Sequence, residues 1–189
     1  CHHLIADGQS VSILADRIIT LARGAQEITA SRTDQGLFTY QNGQLAQPAP
    51  EALARRESFW SENLPRHRVP QLDHWLLASP HEDSAREFRL TVPRDTTEAV
   101  RNTAQEAEVS EFTVYLAAFG TLLAHYAGED QVSFASPFMD RPHLEMENSI
   151  GCFIRTLPVL IDVSPGLRVR DLLKRTRSEV MGLWRNLDF

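Results

Sequence analysis

Between Ser110 and Gly128 the chain reads "SEFTVYLAAFGTLLAHYAG", a helical stretch that is apolar on nearly all sides. Serine suits the N-cap of a helix, and glycine suits the position just after its end. Because a helix without a polar face is stable only inside a core, we expect this one to be buried. The rest of the chain must therefore supply the layers that cover it.

Strand and helix patterns alternate along the chain. The runs "QVSFASPFM", "FIRTLPVLIDV" and "REFRLTV" have the composition or the alternation of strands. Helices are predicted for "QSVSILADRIITLARG", "EALARRESFWSENL", "DTTEAVRNTAQEAEV" and "RVRDLLKRTRSEVMGLWRNL". Ser10 and Asp95 are the expected caps of the first and third of these helices, and Trp184 is expected to point inward from the last. This interleaving predicts an α/β fold.

Composition limits the partners and the compartment. The net charge is −6 and the basic residues are scattered, apart from a cluster in the last predicted helix, so no nucleic acid is expected. No apolar run has the length of a membrane span, and no signal peptide opens the sequence. The two cysteines, Cys1 and Cys152, form no disulfide framework and fit a reducing compartment. We expect a cytoplasmic protein.

The first residues, "CHHLIADGQS", concentrate titratable groups. In a strand, His2 and His3 point to opposite faces, so they cannot both serve one site. Asp7 lies at a turn, where its carboxylate could accept backbone hydrogen bonds or pair with an arginine. Gly8 offers a conformation that larger residues disfavour and lets chain or ligand approach closely. A metal site, buried structural groups and an acid–base centre all remain possible at this point, since neutral imidazole accepts protons near neutral pH.

A metal site would need a third ligand beside the histidine pair. Neither His125 nor His143 belongs to a pair with ligand spacing. Three further histidines recur every seven residues, but prolines interrupt the helix that could align them: His67, His74 and His81. We therefore predict no metal.

Taken as a unit, "HHLIADG" matches His-His-x-x-x-Asp-Gly, the signature of the chloramphenicol acetyltransferase-like superfamily. A second stretch, "SIGCFIRTLPVLIDV", resembles the pattern Ile-Gly-x-Phe-Val-Asn-Thr-Leu-Pro-x-Arg of condensation domains. Between them, "SFWSENL" and "FASPFMDRPHLEMENSIG" follow in the family's order. The chain thus resembles the condensation domain of nonribosomal peptide synthetases.

The resemblance implies a fold and an extent. The family domain is an α/β, V-shaped sandwich of two lobes with the active site in a tunnel between them. This chain begins at the histidine motif and ends about where the family's next motif would start, so a fragment is expected. Residues 1–82 would be the C-terminal part of the N-lobe, and residues 83–189 most of the C-lobe, with a linker near "ASPHEDSA". Such a fragment is expected to be inactive alone.

The resemblance also implies roles for the motif residues. His3 would face the tunnel and either remove a proton from the attacking amine or position that amine. The backbone N–H of Gly8 would lie near the developing oxyanion. Asp7 would point away and pair with an arginine, for which we predict Arg141, and His2 would be structural.

Two residues depart from the family pattern. Arg155 stands where the family usually has asparagine, and Gln9 stands where an aromatic residue is common. The Arg155 cation could alter the tunnel wall or bind an anionic substrate group, or it could lie on an outer face.

The implied function is amide-bond formation between a carrier-bound acyl or peptidyl thioester and a carrier-bound aminoacyl acceptor. Carrier proteins and adjacent synthetase modules would be the partners. The substrates would arrive on 4'-phosphopantetheine arms, and the domain itself would bind no cofactor. The histidine pair disfavours the cyclisation class, which carries aspartates there, and "GCFIRTLPV" fits condensation better than epimerisation. Two alternatives stay open: an acyltransferase that forms esters, and a degenerate domain that only recruits partners.

Overall fold

The computed structural model describes residues 5–24, 49–67, 70, 89–141 and 144–187. In chain order the described elements are α1 (Gly8–Ala22), α2 (Pro50–Asn63), α3 (Arg94–Ala107), α4 (Glu111–Ala127), β1 (Gln131–Met139), β2 (Ile154–Asp162) and α5 (Val169–Arg185). Short 3₁₀ turns lie at Leu64–Arg66 and Leu144–Met146.

The chain divides into two compact units. The first unit comprises Cys1–Ser58, Pro137–Leu157 and Leu187–Phe189, and the second comprises Phe59–Ser136 and Pro158–Asn186. Each unit thus draws on separate stretches of sequence. The expected lobe fragments, residues 1–82 and 83–189, stay a prediction.

Strands β1 and β2 form an antiparallel pair. The N–H of Asp140 donates to the carbonyl of Phe153, and the N–H of Val163 donates to the carbonyl of Asp130, each at 2.7 Å. Both strand predictions are confirmed. The third is wrong for the part of "REFRLTV" that the structure describes, because residues 89–92 lie in no strand and Leu90 is 80% exposed. A strand needs a hydrogen-bonded neighbour, and the described sheet contains only β1 and β2.

The second unit is built around packed helices. Helices α3, α4 and α5 contact one another. Ala107, Ala117 and Leu173 form their common apolar cluster. Small residues at two of these positions let the helix backbones approach closely. Val132 and Val159 of the sheet are fully buried. The described elements thus agree with a mixed helix and sheet fold.

The α4 prediction is confirmed at both ends. The Ser110 side chain accepts a hydrogen bond from the N–H of Thr113 at 3.1 Å. Gly128 ends the helix with a φ of 66°, a left-handed conformation that favours glycine. The expectation of full burial is wrong, because one face is roughly half exposed. That face carries Phe112, Tyr115, Phe119, Leu122 and Tyr126.

Two cap predictions and the expectation for Trp184 also need correction. Asp7, not Ser10, caps α1. Helix α3 begins at Arg94 after Pro93, with Asp95 in its first turn and no side-chain cap bond. Trp184 of α5, expected to point inward, is 47% exposed, and most apolar residues of α1 are exposed as well. An amphipathic pattern predicts a helix without saying whether another element covers its apolar face.

Gly120 is where α4 meets the sheet in the second unit. A Cβ there would lie 2.5–2.7 Å from Ile161 side-chain atoms, whereas a Cβ at Gly182 of α5 would meet only the Phe59 ring, at 3.3 Å. We expect Gly120→Ala to lower the free energy of unfolding by about 1–3 kcal/mol through overpacking. Gly182→Ala should be neutral or stabilise by up to about 1 kcal/mol through helix propensity. Urea denaturation of both variants measures this, and equal stability would contradict the close contact.

No single described helix is both long and apolar enough to cross a membrane. Helices α3 and α4 meet that criterion of length and composition only when joined, and the pair is bent by 105°.

Candidate active site

The histidine pair precedes the described part of the chain. His2 and His3 lie outside the described residues, so the direction of each ring stays a prediction. The structure begins at Ile5 and describes the turn that follows the pair.

Asp7 joins the start of α1 to the loop before β2. Its carboxylate Oδ1 accepts hydrogen bonds from the N–H of Ser10 at 2.8 Å, while Oδ2 accepts from the N–H of Phe153 at 3.2 Å. Its own N–H donates to the carbonyl of Gly151 at 3.0 Å. Asp7 is fully buried, so these bonds replace the water that it loses.

Ser10 is a site residue that the sequence reasoning misplaced. It is buried in the first turn of α1, where its hydroxyl lies 2.7 Å from Asp7 Oδ1 and 2.8 Å from the Gly151 carbonyl oxygen. The hydroxyl also accepts from the N–H of Gly151 at 3.0 Å. The signal was present in the sequence, because Asp-x-x-Ser at a helix start places a polar side chain at the N3 position, as in a capping box.

Arg141 supplies the cation that balances Asp7. Its Nη2 lies 3.0 and 3.1 Å from the two carboxylate oxygens of Asp7. Its Nη1 donates to the carbonyls of Met146 and Ser149 at 2.6 and 2.9 Å. The guanidinium also lies 4.2 Å above the Phe153 ring. The predicted partners are thus in contact, although their role at an active site stays a prediction.

The environment keeps Asp7 ionised. Burial alone would raise the pKa of its carboxyl group. The hydrogen bonds from Ser10 and Phe153 and the charge of Arg141 outweigh burial, and together they hold that pKa below its ordinary value. At neutral pH an ionised carboxylate therefore faces a guanidinium cation inside the first unit.

Gly8 is the first residue of α1 rather than a residue of unusual conformation. Its φ does not lie in the positive region, which corrects that expectation. A Cβ at Gly8 would have no atom of the described residues within 4 Å. The first N–H groups of a helix have no acceptor within the helix. Gly8 is thus an exposed residue in the first turn of α1, next to the anchored Asp7.

The two departures from the family pattern both have partners within the first unit. The Nε of Arg155 lies 2.7 Å from Oδ2 of Asp140. The side-chain amide of Gln9 donates to the carbonyl of Glu147 at 3.0 Å. Whether Arg155 also faces a substrate tunnel stays a prediction.

Metal ligation has no geometric basis in the described residues, where no three His, Cys, Asp or Glu side chains are grouped around one point. His67 and His125 belong to that part of the chain. His74, His81 and His143 lie outside it.

Comparison with known proteins places the whole chain in one family. A family model described as "Condensation domain" matches residues 1–189. Tyrocidine synthase 3 of Brevibacillus parabrevis is 26% identical over 196 aligned residues, which cover 100% of this chain and 3% of that protein. Chondramide synthase cmdD of Chondromyces crocatus is 30% identical over 189 residues, covering 95% of this chain and 5% of that protein. The chain thus spans a small share of these relatives.

Solved structures share the fold. The first condensation domain of the calcium-dependent antibiotic synthetase, in complex with a substrate analogue, has a TM-score of 0.76 at 19% identity. VibH, a condensation enzyme of nonribosomal peptide synthesis, has a TM-score of 0.74 at 16% identity. In both comparisons the match covers 100% of this chain and 44% of the solved chain. The predicted two-lobe sandwich fold is therefore confirmed, and this chain corresponds to part of it.

Proposed function

Since the chain belongs to the condensation-domain family, we propose that it serves amide-bond formation between two carrier-bound partners in nonribosomal peptide synthesis. The amine of an aminoacyl thioester attacks the carbonyl carbon of an acyl or peptidyl thioester. A C–N bond forms and the C–S bond breaks. The amine loses one proton, and the donor's carrier thiol leaves with one proton overall.

The observation that carries the proposal is the buried ion pair formed by Asp7, the aspartate of the histidine motif. Asp7 and Arg141 are 0% and 5% exposed, and their contact holds the end of "HHLIADG" against the loop before β2. A rigid turn is what a preorganised catalytic group requires. The pair therefore supports a structural role for Asp7 and Arg141 and a fixed position for the neighbouring Gly8.

The remaining roles follow the family resemblance. His3 accepts the proton of the attacking amine or orients that amine, and His2 is structural. The N–H of Gly8 donates to the oxyanion that forms on the thioester carbonyl. The place of the exposed Gly8 in the first turn of α1 supports this role, because the first N–H groups of a helix have no intrahelical acceptor and the positive end of the helix favours negative charge.

The partners follow from the reaction. Peptidyl or acyl carrier proteins deliver both substrates on 4'-phosphopantetheine arms, which are substrates here rather than a bound cofactor. Adjacent synthetase modules supply those carriers, and the cytoplasm is the proposed compartment.

An acceptor assay separates the amide-forming function from its alternatives. The natural full-length polypeptide, with donor loading verified by intact mass, is offered either a carrier-bound aminoacyl acceptor or a soluble alcohol. We expect amide from the first and no ester from the second. Ester formation would overturn the proposal in favour of an acyltransferase, and no product from a loaded donor would favour a non-catalytic domain. The 189-residue chain alone should show no turnover, because it spans 44% of the solved domains.

A further inference from the structure

Arg155 of β2 replaces the family's usual asparagine, and its charged group is bound inside the first unit. The Nε of Arg155 donates to Oδ2 of Asp140 at 2.7 Å. The Arg155 side chain is 24% exposed and that of Asp140 is 6% exposed. The guanidinium is therefore neutralised by a buried carboxylate rather than presented as a free cation.

Asp140 needs such a partner because the whole residue is only 4% exposed. An ionised carboxylate without a compensating cation is strongly unfavourable at such a position. Its backbone is fixed as well, since its N–H donates to the carbonyl of Phe153 at 2.7 Å. Together the ion pair and this bond set the position of the chain where β1 ends.

The next residue along the chain is Arg141, which pairs with Asp7. Asp140 is the anion of its ion pair, whereas Arg141 is the cation of its own. One peptide unit thus joins two ion pairs, Arg155–Asp140 and Arg141–Asp7. A shift of Asp140 toward solvent would carry that peptide unit with it. The Arg141 guanidinium forms five hydrogen bonds, two to backbone carbonyls and three to the Asp7–Ser10 turn. These bonds depend on the position of the peptide unit between Asp140 and Arg141.

We infer that Arg155 is a positioning residue: by pairing with Asp140, it fixes the segment that carries Arg141 and so holds the Asp7–Gly8 turn in place. Its effect on rate rests on the proposed function, whereas its effect on the turn does not. Because Asp140 already neutralises the guanidinium, Arg155 does not select substrates by charge.

Hydrogen exchange of the full-length polypeptide tests the positioning directly. The amides of Ser10 and Phe153 are bonded to the Asp7 carboxylate and should exchange slowly. Arg155→Asn should speed their exchange about tenfold by loosening the turn. Arg155→Lys keeps the charge and should retain slow exchange.

The control is Arg175→Asn, because Arg175 forms an ion pair of similar length with Asp162, at 2.9 Å, in the second unit, where the two side chains are more exposed. That variant should leave the exchange of Ser10 and Phe153 unchanged. Equal exchange in wild type and Arg155→Asn would overturn the inference. Faster exchange in Arg155→Lys would overturn it too, since the retained charge should suffice.

Kinetics with two donors distinguishes positioning from substrate binding. Arg155→Asn should lower kcat about ten- to a hundredfold, as expected for a misplaced catalytic turn, with KM unchanged for neutral and acidic donors alike. A KM that rises only for the acidic donor would overturn the inference and make Arg155 a substrate ligand. If the wild type forms no amide, the proposed function fails, and the exchange result still decides the positioning role.

Discussion

Arg141→Met is expected to destabilise the 189-residue chain by about 3–5 kcal/mol, because it leaves the buried Asp7 carboxylate without its cation. Methionine keeps much of the apolar stem but loses the guanidinium that lies 4.2 Å above the Phe153 ring, so part of the loss does not depend on the Asp7 charge. The free energy of unfolding is measured by urea denaturation followed by tryptophan fluorescence. Arg101→Met is the matched control. Its ion pair with Glu111 is 58% and 46% exposed, so it should cost less than about 1 kcal/mol.

The pH dependence of this loss identifies its cause. The folded-state pKa of Asp7 lies below its ordinary value, so its stabilising contribution is present above the unfolded pKa and lost as pH falls through the folded pKa. The difference between wild type and Arg141→Met should therefore be largest near neutral pH and shrink below roughly pH 4. A pH-independent difference would indicate lost packing instead of an unpaired charge. Adding Asp7→Asn to Arg141→Met should recover part of the stability.

His3→Ala in the full-length polypeptide is expected to lower the rate of amide formation about 10²–10⁴-fold, the range that a general base contributes. Product released from loaded carriers is quantified by mass spectrometry in single-turnover reactions. His125→Ala is the matched control, because His125 is an exposed residue of α4 in the second unit. It should leave the rate unchanged.

The same variant distinguishes the two roles left open for His3. If the imidazole accepts the proton of the amine, the wild-type pH–rate profile should show an inflection near the histidine pKa, about 6.5, that is missing in His3→Ala. If the imidazole only orients the amine, the pH–rate profiles of wild type and His3→Ala should have the same shape, with lower rates in the variant. Equal rates in wild type and His3→Ala would contradict both roles.

The sequence predicts the local elements of this fold well. Helix α4 carries its own start and stop signals in Ser110 and Gly128. Strand β1 matches its predicted run residue for residue. These predictions succeed because capping and composition act within a few residues of chain.

What the sequence could not predict depends on contacts between distant residues. The partner of Arg155 is Asp140 on the neighbouring strand end, a pairing that is known only once the strands are in register. The prediction that α4 is fully buried was wrong for a similar reason. Its apolar residues indicate a helix that packs against something, but not which side meets the sheet. The Asp7–Arg141 pair was predicted only through the family resemblance.

The spacing of the Asp7 contacts along the chain affects its synthesis. Arg141 and Phe153 follow Asp7 by 134 and 146 residues. At about 5–20 residues per second, the ribosome releases them on the order of ten seconds after the histidine pair. During that interval the nascent turn lacks the groups that lock it. A premature stop codon before Phe153 would thus yield a polypeptide that contains the histidine motif but lacks a group that binds the Asp7 carboxylate.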